Sequence, residues 1–239
     1  MPFDTSLAEE IWDKKYRFRS AEKQDADFEE TLDRIASSVA AAEKGGDRKI
    51  WRSRFRNALS DLRFIPAGRI IAGAGTARNV TLFNCFVMGE ISDDLPNIFE
   101  HLREAAVTMQ QGGGVGMDFS TIRPSGAPVR GVGAQASGPL SFMDTWDAMC
   151  GTIMSAGQRR GAMMGCLRID HPDIEAFIDA KRDASRFRNF NLSVLVTDAF
   201  MTALEKGDVW SLRFGDAVFK TLPAEEIWDR LMRATYDAA

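Results

Sequence analysis

The sequence predicts an α/β protein: a helical N-terminal layer over residues 1–64, then a parallel-stranded α/β region over 65–239. Three observations carry this. Apolar residues recur at helical spacing through roughly the first sixty positions. The character changes at Pro66, where a glycine-rich loop begins. From Leu82 onward, short β-type runs alternate with amphipathic segments, the pattern of parallel α/β construction.

The elements follow in order. Ser6 followed by Glu9 reads as a capping box opening the helix SLAEEIWDKKYRF. Residues 27–43 place Phe28, Leu32, Ile35 and Val39 on one helical face, and Trp51, Phe55, Leu59 and Leu62 repeat the spacing. PAGRIIAGAGTARN is loop and TLFNCFVM a short strand. Residues 95–110 are amphipathic again, with Ile98, Leu102 and Val107 or Ala106 inward. The stretch QQGGGVGMDFSTIRPSGAPVRGVGAQASG, residues 110–138, reads as one long structured loop, a kind of segment that is usually functional. Phe142, Trp146, Met149 and Ile153 mark a further helix, followed by the basic glycine loop AGQRRGAMMG. HPDIEAFIDAKR and DAFMTALEKG read as helices, NLSVLVT and VWSLRF as strands, and PAEEIWDRLMRATYDAA as a last helix.

Composition narrows the function classes. The 239 residues are 45% hydrophobic and 27% charged, an ordinary globular balance with enough chain for a real core. A net charge of −4 argues against general nucleic-acid binding, so a bound phosphate must meet local basic residues. The three cysteines, Cys85, Cys150 and Cys166, make no disulfide framework. The first residues carry no signal-peptide pattern and no run of about 18 apolar residues occurs, so the expected setting is reducing and cytoplasmic, away from membranes. Two distant histidines, His101 and His171, speak against a zinc site.

Several residues could carry chemistry. GGGVG follows a helix and lacks the third glycine of a dinucleotide fingerprint, so it is either a turn needing positive φ or a backbone approach to an anion. Arg123, Arg130, Arg159 and Arg160 lie in Pro/Gly-rich loops, which suits phosphate recognition as well as solvated surface. Asp93 and Asp94 fit either helix N-caps or contacts to a ribose hydroxyl. Cys85, in an apolar strand, is on these grounds either an inert core thiol or a reactive one.

Taken together, FNCFVMGEISDDLPNIF, QQGGGVGMDFSTIRPSGAPVRG and AGQRRGAMMG resemble the catalytic subunit of ribonucleotide reductase, most closely the adenosylcobalamin (vitamin B12)-dependent class II. The resemblance implies the first half of a ten-stranded barrel with adenosylcobalamin as cofactor. Its partners would be a ribonucleotide substrate, a deoxynucleoside triphosphate effector, a thioredoxin-like reductant, the remaining C-terminal part of the reductase and, in a homodimer, a second copy. By position, Cys85 matches a substrate-reducing redox cysteine, while Asn84, Gly113 and Gly114 match substrate contacts. Ile70 stands where most relatives carry threonine, leaving only a main-chain contact there. Asp93, Arg123 and Arg130 match the effector site, and Arg160 matches the loop that relays effector identity. The Asn-x-Cys-x-Glu motif of the radical cysteine is not in this sequence. The expectation is therefore an N-terminal segment, inactive alone, or alternatively a non-catalytic nucleotide-binding or regulatory fragment of a split reductase.

Overall fold

A computed structural model describes residues 3–129, 131, 133–153 and 161–238. The chain forms two compact units, one through Asn84 and one from Cys85. The first runs past the sequence-expected boundary at 64/65 and includes the PAGRII segment.

The first unit is helical: α1 (Ser6–Ile11) continues into a wider turn at Trp12–Tyr16, followed by α2 (Phe28–Ala40), α3 (Asp47–Leu59) and α4 (Gly68–Gly73). Thr5, not Ser6, caps α1; its hydroxyl accepts the Ala8 N–H at 3.2 Å, and Ser6 is already helical. Leu32, Ile35 and Ala36 of α2 form a core with Leu59 and Ala74, against which Phe28, Phe55 and Ile70 pack. Val39, expected inward, is 42% exposed. The buried face runs through Leu32, Ile35, Ala36 and Ala40 instead.

A polar network holds this unit together. Asp25, fully buried, accepts from Arg34 Nη2 at 2.9 Å, from Thr31 Oγ1 at 2.8 Å and from the Phe18 N–H at 3.2 Å. Arg34 also donates to the carbonyls of Ile71 and Ala74, and Trp12 Nε1 donates to Thr31. Burial works against the charge on Asp25, but its hydrogen bonds from Arg34 and Thr31 outweigh this and hold the carboxyl below its usual range.

The second unit opens with β1 (Cys85–Val87), α5 (Leu95–Gln110) and β2 (Gly114–Asp118). A small hairpin follows, β3 (Pro128–Val129) and β4 (Ala134–Gln135), then α6 (Pro139–Thr152), β5 (Met163–Arg168), α7 (Ile174–Asp179), β6 (Phe190–Leu195) and α8 (Asp198–Lys206). It ends with β7 (Val209–Phe214), β8 (Ala217–Pro223) and α9 (Ala224–Ala238). Strands β1, β2, β5 and β6 form one parallel sheet in that spatial order. The expected helical layer followed by a parallel α/β region is thus what the chain forms.

Three readings are corrected. The glycine stretch is not wholly loop: GVGMD is β2, an inner strand of the sheet. Val107 is 44% exposed, and α5 turns Ile98, His101, Ala105 and Met109 inward. VWSLRF does not continue the parallel alternation; it pairs with AVFKTLP as a separate antiparallel hairpin around Gly215, whose φ of 56° suits glycine. No helix among the described residues is long and apolar enough to cross a membrane.

Removing Arg34 leaves Asp25 as an uncompensated buried charge. Arg34→Ala should cost about 3–5 kcal/mol in chemical denaturation of the helical unit; a loss below about 1 kcal/mol would show that the network is dispensable.

Candidate functional site

The parallel sheet buries one face. Val115 and Met117 of β2, Met163 and Leu167 of β5, and Phe190 of β6 enter a core with α5, α6 and α7. Side chains alternate along a strand, so residues of the other parity lie on the opposite face. That face carries Cys85, Val87, Asp118, Met164, Cys166, Asn191 and Ser193, all exposed or half-buried. Val87 is 96% exposed. Parallel sheets are normally covered on both sides, so an open face bearing a thiol is the first candidate site.

Cys85 is exposed at the start of the edge strand β1, in register with Gly114. Beside it the glycines have separate physical causes. Gly112 has φ +94°, a region favoured by glycine. A Cβ on Gly113 would lie 2.7 Å from the Phe86 ring and 2.9 Å from Thr108 Cγ2. Gly114 presents bare backbone next to the thiol. Asn84 precedes Cys85 directly and is exposed. Ile70 lies in the helical unit, where its N–H donates to Ala67 O at 2.8 Å and its carbonyl accepts from Ala74 at 2.9 Å. Both of its main-chain groups therefore already have partners.

The other cysteines differ. Cys150 is buried in α6, and burial, aided by Asp147, pushes its thiol up to about 11. Cys166 shares the open face, and burial followed by the nearby Asp118 carboxylate raises its pKa. Register places Cys166 opposite Asp118, four residues along β2 from the partner of Cys85 and one strand further over. That is roughly 13 Å along the sheet and about 10 Å across, too far for a bridge, which needs Cα atoms within about 7 Å. All three thiols are free.

A second constellation sits at the carboxyl ends of β1, β2 and β5, where open parallel sheets place ligand crevices. The loops there are sewn together. Arg123 donates its N–H to Asp93 Oδ1 at 3.1 Å and its Nε to Oδ2 at 2.8 Å, while Nη1 reaches the Pro128 carbonyl at 3.2 Å. Thr121 Oγ1 donates to Ile91 O at 2.6 Å. His171 is held neutral in one tautomer: Nδ1 accepts from the Asp173 N–H at 3.0 Å, so Nε2 carries the hydrogen donated to Ile122 O at 2.9 Å. Burial, first, lowers its pKa. A cleft of about 440 Å³ opens here, lined by Glu90, Asp93, Ser120, Arg168, Asp170 and Arg213 among others. Its size suits a nucleotide-sized ligand.

Asp93 and Arg123 are thus brought together, while Asp94 is the N-cap of α5, accepting from the Asn97 N–H at 3.1 Å. Arg130, Arg159 and Arg160 lie outside the described residues. Sequence reasoning missed Arg168, Asp170 and Arg213 on the cleft wall, and Met164, Asn191 and Ser193 on the open face. Alternation within GAMMGCLR and NFNLSVL held a signal for the latter, since residues of one parity are apolar or glycine.

Comparison with known proteins agrees with this architecture. Family models match as "Ribonucleotide reductase, all-alpha domain" over residues 2–79 and "Ribonucleotide reductase, barrel domain" over residues 83–239. The chain is 40% identical over 214 residues to the vitamin B12-dependent ribonucleoside-diphosphate reductase of Mycobacterium tuberculosis (strain CDC 1551 / Oshkosh), covering 87% of this chain and 30% of that protein. It is 36% identical over 215 residues to the Thermoplasma acidophilum protein of the same name, covering 89% of this chain and 27% of that protein. It is 28% identical over 189 residues to the ribonucleoside-diphosphate reductase subunit alpha of Chlamydia muridarum, covering 77% of this chain and 18% of that protein. The chain therefore spans less than a third of the length of these relatives.

Gly113→Ala must displace the Phe86 ring beside Cys85. It should destabilise the second unit by about 1–3 kcal/mol in urea unfolding, whereas Gly116→Ala in the same strand region, whose Cβ would meet nothing closer than Met164 Cβ at 3.7 Å, should lose less. Equal stability of Gly113→Ala and wild type would mean that Phe86 does not occupy this position.

Proposed function

The chain belongs to the ribonucleotide reductase family, and on that premise we propose that it supplies one wall of such an enzyme: a reducing thiol beside a bare-backbone substrate surface, with an effector arm at the strand ends. The observation that carries the reading is the pairing of exposed Cys85 with Gly114. No side chain on Gly114 intervenes, so a ribose can approach the thiol closely. Asn84, Gly113 and Gly114 are assigned to the substrate side, and Ile70, whose main-chain groups are already engaged, is the weakest of the substrate assignments.

In the proposed reaction the ribose 2′-hydroxyl leaves as water and C2′ gains hydrogen. Cys85 and a second thiol supply the two electrons and become a disulfide. Cys150 is buried, and neither it nor Cys166 is placed to bridge Cys85. We therefore assign the second thiol, with the radical cysteine, to a segment of the reductase outside these residues. Asp93 and Arg123, with Arg130 and Arg160, are assigned to a deoxynucleoside triphosphate effector. Asp93 is the acid for its ribose, Arg123 and Arg130 bind its phosphates bidentately, and Arg160 lies on the loop that relays effector identity to the substrate. A thioredoxin-like reductant and a second copy of the chain complete the proposed partners.

The names of the B12-dependent relatives support adenosylcobalamin as the radical source of the whole enzyme. Neither of the two clefts described fits that cofactor: at about 440 and 560 Å³ they are lined mainly by charged and polar side chains, not by the broad apolar wall a corrin ring requires. The setting inside the cell is proposed as cytoplasmic.

The isolated chain, given adenosylcobalamin, a dithiol and ribonucleotide, should form no deoxynucleotide; turnover above background would contradict the assignment of the radical group elsewhere. Calorimetric titration with dATP or dTTP tests the effector arm. Arg123→Ala should weaken binding by about 1.5–3 kcal/mol, roughly ten- to a hundredfold, and unchanged affinity in a variant that remains folded would remove Arg123 from the site.

A further inference from the structure

The helix α3 is an electrostatic exception within an acidic chain. Asp47–Leu59 carries five cations, Arg48, Lys49, Arg52, Arg54 and Arg56, against the single acid Asp47, while the whole chain has net charge −4. Lys49, Arg52 and Arg56 lie three and four residues apart, so they share one side of the helix. Their backbone positions rise by about 4.5 and 6 Å. Ser53 and Asn57 lie on the same side. Together with Asp33 and Ser60 these residues line a cleft of about 560 Å³ wholly within the helical unit.

The cations are not equivalent. Arg56 is built in: it pairs with Glu29, donates Nε to Asp33 Oδ1 at 3.1 Å and Nη1 to Ser60 Oγ at 2.8 Å. Arg56 offsets one of the two negative charges of Glu29 and Asp33, and Lys49 and Arg52 leave the group with a net positive charge. Arg52 lies 3.9 Å from Asp33 at its nearest, beyond hydrogen-bond reach. Among the described residues Lys49 forms no ion pair. Asn57 has its Oδ1 occupied by Arg63 Nη2 at 2.8 Å, which leaves its amide N–H groups to donate. The cleft thus offers Lys49, Arg52, the Ser53 hydroxyl and the Asn57 amide, all of which can donate.

We propose that this cleft binds an oligophosphate, either free or as the polyphosphate tail of a nucleotide. Closely spaced donors on one helix face suit an anion whose charges follow one another along a short chain, better than a single carboxylate. A nucleic acid strand fits less well, because the Trp51 ring on this helix is already engaged by the Arg54 guanidinium at 4.9 Å and by Phe55 at 5.5 Å. The site lies in a different compact unit from Cys85 and Asp93 and does not depend on the roles proposed for them.

The test is calorimetric titration of the 239-residue chain at low salt with tripolyphosphate, ATP and a single-stranded oligonucleotide. Tripolyphosphate should saturate one site, with affinity falling as salt rises. The double variant Lys49→Ala/Arg52→Ala, at two exposed positions, should weaken it at least tenfold. The charge-matched control Arg103→Ala/Lys206→Ala should bind as wild type does. Saturation by tripolyphosphate but not ATP, with ATP failing to compete, identifies the free anion as the source; competition by ATP identifies the nucleotide tail. Absence of saturation at millimolar tripolyphosphate, equal loss in both double variants, or an oligonucleotide that binds tighter than either phosphate ligand would each overturn the proposal.

Discussion

The second unit depends on one constraint, the one-sided burial of its parallel sheet. Val115, Met117, Met163 and Leu167 must enter the core shared with α5 and α6. Because side chains alternate strictly, this burial forces Gly114, Asp118, Met164 and Cys166 onto the other side, and the ladder carries Cys85 with them. A one-residue slip of β1 against β2 would turn the thiol into the core. The exposure of Cys85 is therefore a consequence of how the sheet is packed, enforced by several buried neighbours rather than by any contact of its own.

The strand ends obey a related logic. The loops after β1, β2 and β5 are irregular, yet their hydrogen-bonding groups are paired across loops: Thr121 to Ile91, Arg123 to Asp93, His171 to Ile122 and Ser125 to Asp173. Arg123 plays two parts in this scheme. It spans Asp93 and the Pro128 carbonyl in the structure described, and in the proposed function it meets phosphate oxygens. An incoming effector would have to share the guanidinium with Asp93 or take it over. In that proposed function, ligand binding and the order of the 120–128 segment would be coupled through one side chain.

Much of this was legible in the sequence where local rules act. The helical layer, the alternation after Leu82, the strand at Cys85 and the glycine end of α8 at Gly207, with φ 68°, all follow from periodicity and capping chemistry. What escaped was set by tertiary context. Glycine richness in GVGMD suggested loop, because propensity does not register that Phe86 fills the space above Gly113 and that β2 is flanked by strands on both sides. Val39 and Val107 were placed inward by hydrophobicity, yet smaller alanines and Met109 occupy the buried faces. For the site, resemblance rather than spacing leads one to expect Asp93, Arg123 and Arg130 in one place; Asp93 and Arg123 meet, and Arg130 lies outside the described residues. Arg168, Asp170 and Arg213 could not be foreseen, because only the fold draws Arg213 of the separate β7–β8 hairpin to the ends of the parallel strands.

The open sheet face exposes Cys85, the thiol assigned to reduction in the proposed function, while the core shields Cys150. Timed alkylation of the native chain with iodoacetamide, followed by peptide mapping in a mass spectrometer, reads this directly. The account predicts rapid labelling of Cys85, slowed by bound ribonucleotide, and labelling of Cys150 only on unfolding. Protection of Cys85 in the native chain, or a quantitative bridge from it to Cys150 or Cys166, would contradict the account.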